Sequence, residues 1–156
     1  MLSKYEYFML KAIELANEAK KIGEIPVGAL IVKNNKIVST GFNKKEIKKN
    51  SFFHAEMECI FKASKKLESW RLLNCEIYTT LEPCIMCMGA IINSRIEKVI
   101  FGAKDYLNGA CISNKLNLKY SYFPKIHGGV LETKCSNLIK IFFKELRSKN
   151  IKNKGT

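Results

Sequence analysis

The sequence predicts an α/β fold of three layers, α/β/α, built on a central five-stranded mixed sheet. Two β-rich runs in "PVGALIVKNNKIVSTGFN" flank Asn34-Asn35, the two-residue turn of an antiparallel hairpin. After that hairpin, helix-period and strand-period segments alternate, which calls for a sheet covered on both faces. The chain has 156 residues, 47% hydrophobic and 26% charged, which suits one domain with its own core.

The elements follow in order. Ser3-Lys4-Tyr5-Glu6 reads as a capping box, and apolar residues at 5, 8, 9, 12, 15, 16 and 19 give the first helix one buried face, ended by Gly23. The hairpin comes next, followed by "KKEIKKNS", read as a basic loop. A second helix is expected from about His54 to Leu67, and "CEIYTTL" is the third strand. Pro83 suits the first position of a third helix, "PCIMCMGAIINS", whose apolar character on nearly every side predicts burial. "KVIFGA" is a fourth strand, and the region 104–127 carries no regular period. "GGVLE" reads as a short fifth strand, with Thr133 as cap of a last helix that turns Ile139, Phe142, Phe143 and Leu146 inward. Neither a repeat nor a linker is visible, so residues 1–156 read as a single domain.

No run reaches the ~20 apolar residues of a membrane span, and the start reads as a folded helix. The cytoplasm is therefore the expected compartment, with no membrane partner. A net charge of +13 fits a polyanionic partner, although 24 of the 27 basic residues are Lys, a bias that drift in base composition also produces. Six cysteines in such a chain argue against a disulfide framework, and only Cys84 and Cys87 form a close pair.

The chemistry concentrates in "HAE" and "PCIMC". On a wheel of the second helix, Met57, Ile60, Phe61, Ala63, Ser64 and Leu67 share one broad face, and Glu56 falls inside it. Glu58 falls opposite, where Lys62 offers an ordinary i,i+4 pair. Glu58 is thus explained by structure alone, whereas a carboxylate on a core-facing stripe must be paired, hydrogen-bonded or protonated. Cys84 and Cys87, three residues apart in a first helical turn, point the same way and can share one metal. Alone, C-x-x-C also fits a redox pair. Preceded 30 residues earlier by His54-Ala55-Glu56, it fits the H-x-E…P-C-x-x-C pattern of zinc deaminases. His54, Cys84 and Cys87 make a three-ligand zinc set, and three protein ligands leave a position for water, as in catalytic sites.

"HAE" with "EPCIMC" resembles the zinc-dependent cytidine/adenosine deaminase superfamily. "EIPVGALIV", "GFN", "WRL", "TLEPCIMCMGAIINSRI", "VIFGAKD", "NGA" and "FFKELR" look, in that order, like its tRNA-specific adenosine deaminase branch, over nearly the whole chain. The resemblance implies a cytidine deaminase-like fold, one zinc ion per subunit, a homodimer, and a tRNA anticodon stem-loop as partner. It implies hydrolytic deamination of adenosine to inosine at the wobble position, with zinc-bound hydroxide attacking adenine C6 and Glu56 as proton shuttle. Asn43, which by position alone is a turn residue after a strand, would by resemblance hydrogen-bond the purine edge. Ala55 and Leu81 join it as substrate-binding candidates. Asp105, the one Asp of the chain, is a candidate for a ribose hydroxyl. For RNA, Lys44, Lys45 and Lys104 are phosphate contacts, with Lys48 and Lys49 beside them, and Phe142 and Phe143 are bases' stacking partners. The chain departs from the branch at Phe52-Phe53, where Pro, Thr and a small residue are usual.

Two other readings compete. One is a deaminase of a free base or nucleoside, of guanine or cytosine type, in the same superfamily. The other is a non-catalytic zinc-stapled RNA-binding module, which needs Cys59, Cys111, Cys135 or His127 as fourth ligand.

Overall fold

In a computed structural model, which describes residues 1–115 and 119–154, the elements run α1 (Lys4–Lys21), β1 (Gly28–Lys33), β2 (Lys36–Phe42), α2 (Lys45–Lys48), α3 (Ala55–Lys66), β3 (Cys75–Leu81), α4 (Ile85–Asn93), β4 (Lys98–Ala103), β5 (Lys125–His127) and α5 (Glu132–Lys154). Of the irregular region 104–127, residues 116–118 lie outside those described. The predicted capping box starts α1: Ser3 Oγ accepts from Glu6 N at 3.2 Å, and the Glu6 carboxylate accepts from Ser3 N at 2.8 Å. Gly23, at φ +82°, ends it in a Schellman motif, with Gly23 N donating to Lys20 O and Glu24 N to Ala19 O. Asn34 and Asn35 both adopt positive φ, 50° and 58°, as a type I′ hairpin turn requires.

The sheet order is β2-β1-β3-β4-β5. β1 is antiparallel to β2 and β3, while β3/β4 and β4/β5 are parallel, the mixed five-stranded sheet that was predicted. Successive strand residues face opposite layers. Ala29, Ile31, Ile77, Val99 and Phe101 pack with Ala55, Cys59 and Ile91 of α3 and α4. Leu30, Val32, Tyr78 and Ile100 pack with Phe8, Met9 and Cys135 of α1 and α5. Gly28 is required where α1 crosses β1, since a Cβ there would run into the Ala12 carbonyl.

Several expectations shift. "GGVLE" is not a strand: Gly129 (φ +86°) and Leu131 (φ +52°) leave the extended region, Val130 plugs the core, and β5 lies at Lys125–His127. α5 begins at Glu132, ahead of the expected Thr133 cap. Of its four supposed inward residues, Phe142 is buried while Leu146 is exposed. "KKEIKKNS" contains the short α2, closed by Lys49 at φ 50°. Cys84, not Pro83, borders α4 as its N-cap, so Pro83 precedes the helix. Nor is α4 buried all round, for Ile85 is 60% exposed.

What this topology does for function follows from register. Gly28 pairs with Phe42, Ala29 with Thr79, and Leu81 with Ala103. One end of the sheet therefore collects the chain entering β1, leaving β2, leaving β3 and leaving β4, together with the starts of α3 and α4.

Candidate active site

At that sheet end His54 and Cys84 occupy equivalent places. Each is the N-cap of a helix, with extended backbone (φ −78°, ψ 154° and φ −72°, ψ 173°), and neither side chain caps its helix. Side chains at such positions normally accept from the first-turn N–H groups. Here both turn toward each other instead. His54 Nδ1 lies 3.7 Å from Cys84 Sγ and 3.6 Å from Cys87 Sγ, and the three ligand atoms all fall within 4.8 Å of one another. Zn–N of about 2.0–2.1 Å and Zn–S of about 2.3 Å at a tetrahedral angle require N···S edges of about 3.6 Å. The donor set fits zinc. No fourth His, Cys, Asp or Glu joins this cluster among the described residues. Cys59 Sγ instead donates to Ala29 O at 3.1 Å inside the core, so the closed site of a zinc-stapled module lacks its ligand.

Glu56 stands one helical step beyond, 4% exposed. Burial raises its pKa, against the opposing influence of its own backbone N–H, of His54 and of the Cys87 thiol. The Cys87 thiol, with His54, brings Cys84 down to about 4, while the neighbouring Cys84 and burial push Cys87 up. His54 is raised by its hydrogen bond to Cys84. These donors share protons that a bound cation would displace.

The wheel's inward face holds at Glu56 and Ala63, which are buried, and at Ile60 and Leu67, which pack against the core, but not at Phe61. α3 buries Ala55, Glu56, Cys59 and Ala63, whereas Phe61 is 61% exposed with Lys65 Nζ 4.6 Å from its ring centroid. Glu58 makes the expected bond to Lys62, at 2.7 Å, and more. Its carboxylate also accepts from Lys44 Nζ at 2.6 Å and from Phe42 N at 3.2 Å, tying α3 to the end of β2.

The cleft above the cluster holds about 340 Å³ and is lined by Asn43, Lys45, His54, Ala55, Glu56, Leu81, Cys84 and Asp105, all singled out from sequence. That volume lies in the range of small-ligand sites. Asp105 Oδ1 is engaged by Leu107 N and Asn108 N at 3.1 and 3.0 Å, closing the turn that carries the rim. Lys104 is exposed beside it. Lys44 does not serve as a free phosphate contact, because its ammonium is bound by Glu58. Phe142 is no stacking surface: it is 9% exposed, packed edge-on to half-buried Phe143 with centroids 5.5 Å apart. Phe52 and Phe53, just before His54, are 62% and 37% exposed.

Ile25, Val27, Glu82 and Asn108 also line the cleft and escaped sequence reasoning. For Val27 a signal existed, because the hairpin register sets the residue before β1 beside the one after β2, and Asn43 N donates to Val27 O at 3.0 Å. Glu82, 2% exposed, organises the far rim. Its carboxylate accepts from Asp105 N (3.1 Å), Ile112 N (2.7 Å), Ser113 N (2.9 Å) and Ser113 Oγ (2.5 Å). Gly109 has to be glycine here, as a Cβ would meet that carboxylate. Burial opposes ionisation of Glu82, but the Ser113, Ile112 and Asp105 hydrogen bonds outweigh it and hold its pKa below the ordinary 4.5. A carboxylate depressed on folding stabilises fully above its unfolded value, and that contribution is lost as pH falls through the folded value. Glu82→Gln, which turns an N–H₂ toward donors, should cost roughly 1–3 kcal/mol near neutral pH. The gap from wild type in urea unfolding should narrow as pH falls below the ordinary carboxylate value of 4.5, and proteolysis within 104–115 should accelerate; equal unfolding midpoints at pH 7 would count against this role.

The family profile for the cytidine and deoxycytidylate deaminase zinc-binding region matches residues 2–103. The tRNA-specific adenosine deaminase of Bacillus subtilis (strain 168) is 41% identical over 95% of this chain and 94% of its own length. The chain belongs to the tRNA-specific adenosine deaminase family. Its relative from Buchnera aphidicola subsp. Baizongia pistaciae, also a tRNA-specific adenosine deaminase, is 44% identical over 91% of this chain and 90% of its own. Among solved structures, one from studies of A-to-I editing by tRNA:A34 deaminases at the wobble position of transfer RNA superposes with a TM-score of 0.80 at 29% identity. It covers 85% of this chain and 98% of that one. Within this deaminase family the ligand trio and the cleft fall inside or directly against the matched zinc-binding region.

Proposed function

We propose that this chain, a single deaminase domain, hydrolyses adenosine to inosine and ammonia at the wobble position of a tRNA anticodon loop. The observation that carries the reading is a buried carboxylate, Glu56, beside a three-donor metal set whose open side faces a base-sized cleft. One zinc ion per subunit, held by His54, Cys84 and Cys87, would supply an activated water beside Glu56. Glu56 would take one proton from the attacking water and deliver it to N1 of adenine; it would then carry the second, from the hydroxyl newly bonded to C6, to the amine, which leaves as ammonia as the C6 carbonyl forms. The N–H groups of Ala55 and Cys84, at two helix N-termini, orient the base and the attacking oxygen. Asn43 holds the purine edge, Leu81 walls the base, and Asp105 turns its second oxygen to a ribose hydroxyl. Lys45 and Lys104, with Lys48 and Lys49, meet phosphates, and the +13 charge draws RNA to the mouth.

An adenine within a duplex cannot reach this depth, so the target is an unpaired loop base. Among the described residues no helix is long and apolar enough to cross a membrane. The reading places the enzyme with tRNA in the cytoplasm. Inosine formation on transcribed tRNAs with A at the wobble position tests it, with free guanine, cytosine and nucleosides as controls. Rapid turnover of a free base with inert tRNA would sink it.

We also infer a homodimer, because α4 leaves Ile85 exposed along a groove with Met88, Tyr120 and Phe123. Sedimentation should give twice the 17.8 kDa chain mass, and a monomer at micromolar concentration would refute this.

A further inference from the structure

Among the described residues, Glu24 is the most deeply buried carboxylate, 1% exposed, and no Lys, Arg or His forms a salt bridge with it. The Schellman motif puts it there: Gly23 in the left-handed region reverses the chain, and the next residue turns inward under the cleft. Its two oxygens have separate partners. Oε1 accepts from Ile47 N at 2.7 Å, and Oε2 accepts from Asn43 Nδ2 at 3.5 Å.

Asn43 is 8% exposed and lines the cleft. The two ends of its amide meet opposite kinds of group. Nδ2 faces two acceptors, Glu24 Oε2 and Ile25 O (3.3 Å), while Oδ1 accepts from Lys45 N at 3.2 Å. A flipped amide would set Oδ1 against a carboxylate and a carbonyl, and an N–H₂ against an N–H. A buried carboxylate is a costly way to fill space, since an apolar side chain would do so without desolvation. Its charge matters where a neighbouring donor must not turn away.

We propose that Glu24 is a positioning residue that locks the orientation of the Asn43 amide and so sets the register of the target base over Glu56. The proposal rests on the adenosine reading in so far as Asn43 meets the base. A freely flipping Asn43 presents donor and acceptor interchangeably, and the base loses its fixed approach. RNA affinity, dominated by phosphate contacts, is little affected. The loss therefore falls on kcat and not on KM.

The test is a double-mutant cycle on inosine formation in an anticodon stem-loop. Glu24→Gln should lower kcat roughly tenfold with KM within about threefold, and in an Asn43→Ala background it should change kcat by less than about twofold. The same tenfold loss in both backgrounds, whether from misfolding or from another route, overturns the proposal. So does a rise in KM at unchanged kcat, which would mean that Glu24 acts only through Ile47 and the lysines of α2. A second arm needs no activity. Asn43→Asp sets two carboxylates against each other and should lower Tm; adding Glu24→Gln restores a donor facing an acceptor and should recover about half of that loss or more. No recovery overturns the pairing. Wild-type protein inert on RNA would instead refute the adenosine reading, with the melting arm still deciding the Glu24–Asn43 pair.

Discussion

Glu56→Gln should reduce inosine formation by roughly 10²–10⁴-fold or more while zinc content and folding stay at the wild-type level. The substitution keeps shape and volume in a position that is 4% exposed, so packing does not change. It removes the buried carboxylate beside the metal set, the group assigned to take and return the proton. It also removes a buried charge whose ionisation burial already disfavours, so stability should hold or rise slightly. Metal analysis, thermal unfolding and product formation separate the outcomes. Activity within about tenfold of wild type would exclude Glu56 as the shuttle. Loss of zinc alongside activity would make it a structural support of the ligand set.

Cys87→Ala should have an effect as large on activity and a second one on the metal. Cys87 lies in the first turn of α4 with its sulfur 3.6 Å from His54 Nδ1, and it is fully buried. Two remaining donors cannot hold zinc as three do. The bound ion should drop from about one per chain to a small fraction, because zinc affinity depends on the complete set of deprotonated ligands. Wild-type protein treated with a chelator should show the same loss and a lower Tm, since a ligand bound only to the folded chain stabilises it by mass action. Stoichiometric zinc in the Cys87→Ala protein would point to Cys111, Cys59 or an outside ligand and would break the trio.

The hairpin and the shared direction of Cys84 and Cys87 were legible in the sequence because both rest on local rules. An Asn-Asn turn between β-rich runs fixes a hairpin, and a cysteine pair in one helical turn fixes a shared direction. Glu56 was legible by angle alone. The exposure of Phe61 was not, because hydrophobicity alone places it inward, whereas α3 lies so close to β2 that small residues fill the contact. At Gly41 even a Cβ would press on the Ala55 carbonyl and on Cys59. β5 was misplaced because "GGVLE" has strand composition, and its left-handed residues are visible only once the chain is folded. Glu24 and Glu82 stayed hidden for another reason. Their partners lie 19 to 31 residues away, at Asn43 and Ile47 and at Asp105, Ile112 and Ser113, and no local period records such a pairing.

α3 and α4 both begin at a residue whose side chain leaves the first-turn N–H groups uncapped. An ordinary helix so built frays at its start. Here the two starts share one set of ligand atoms, and whatever joins those atoms also fastens both ends. The exchange rates of the amides at 55–58 and 85–88 should therefore report metal loading together, as one cooperative unit, while the strands beneath them keep the protection of the global fold.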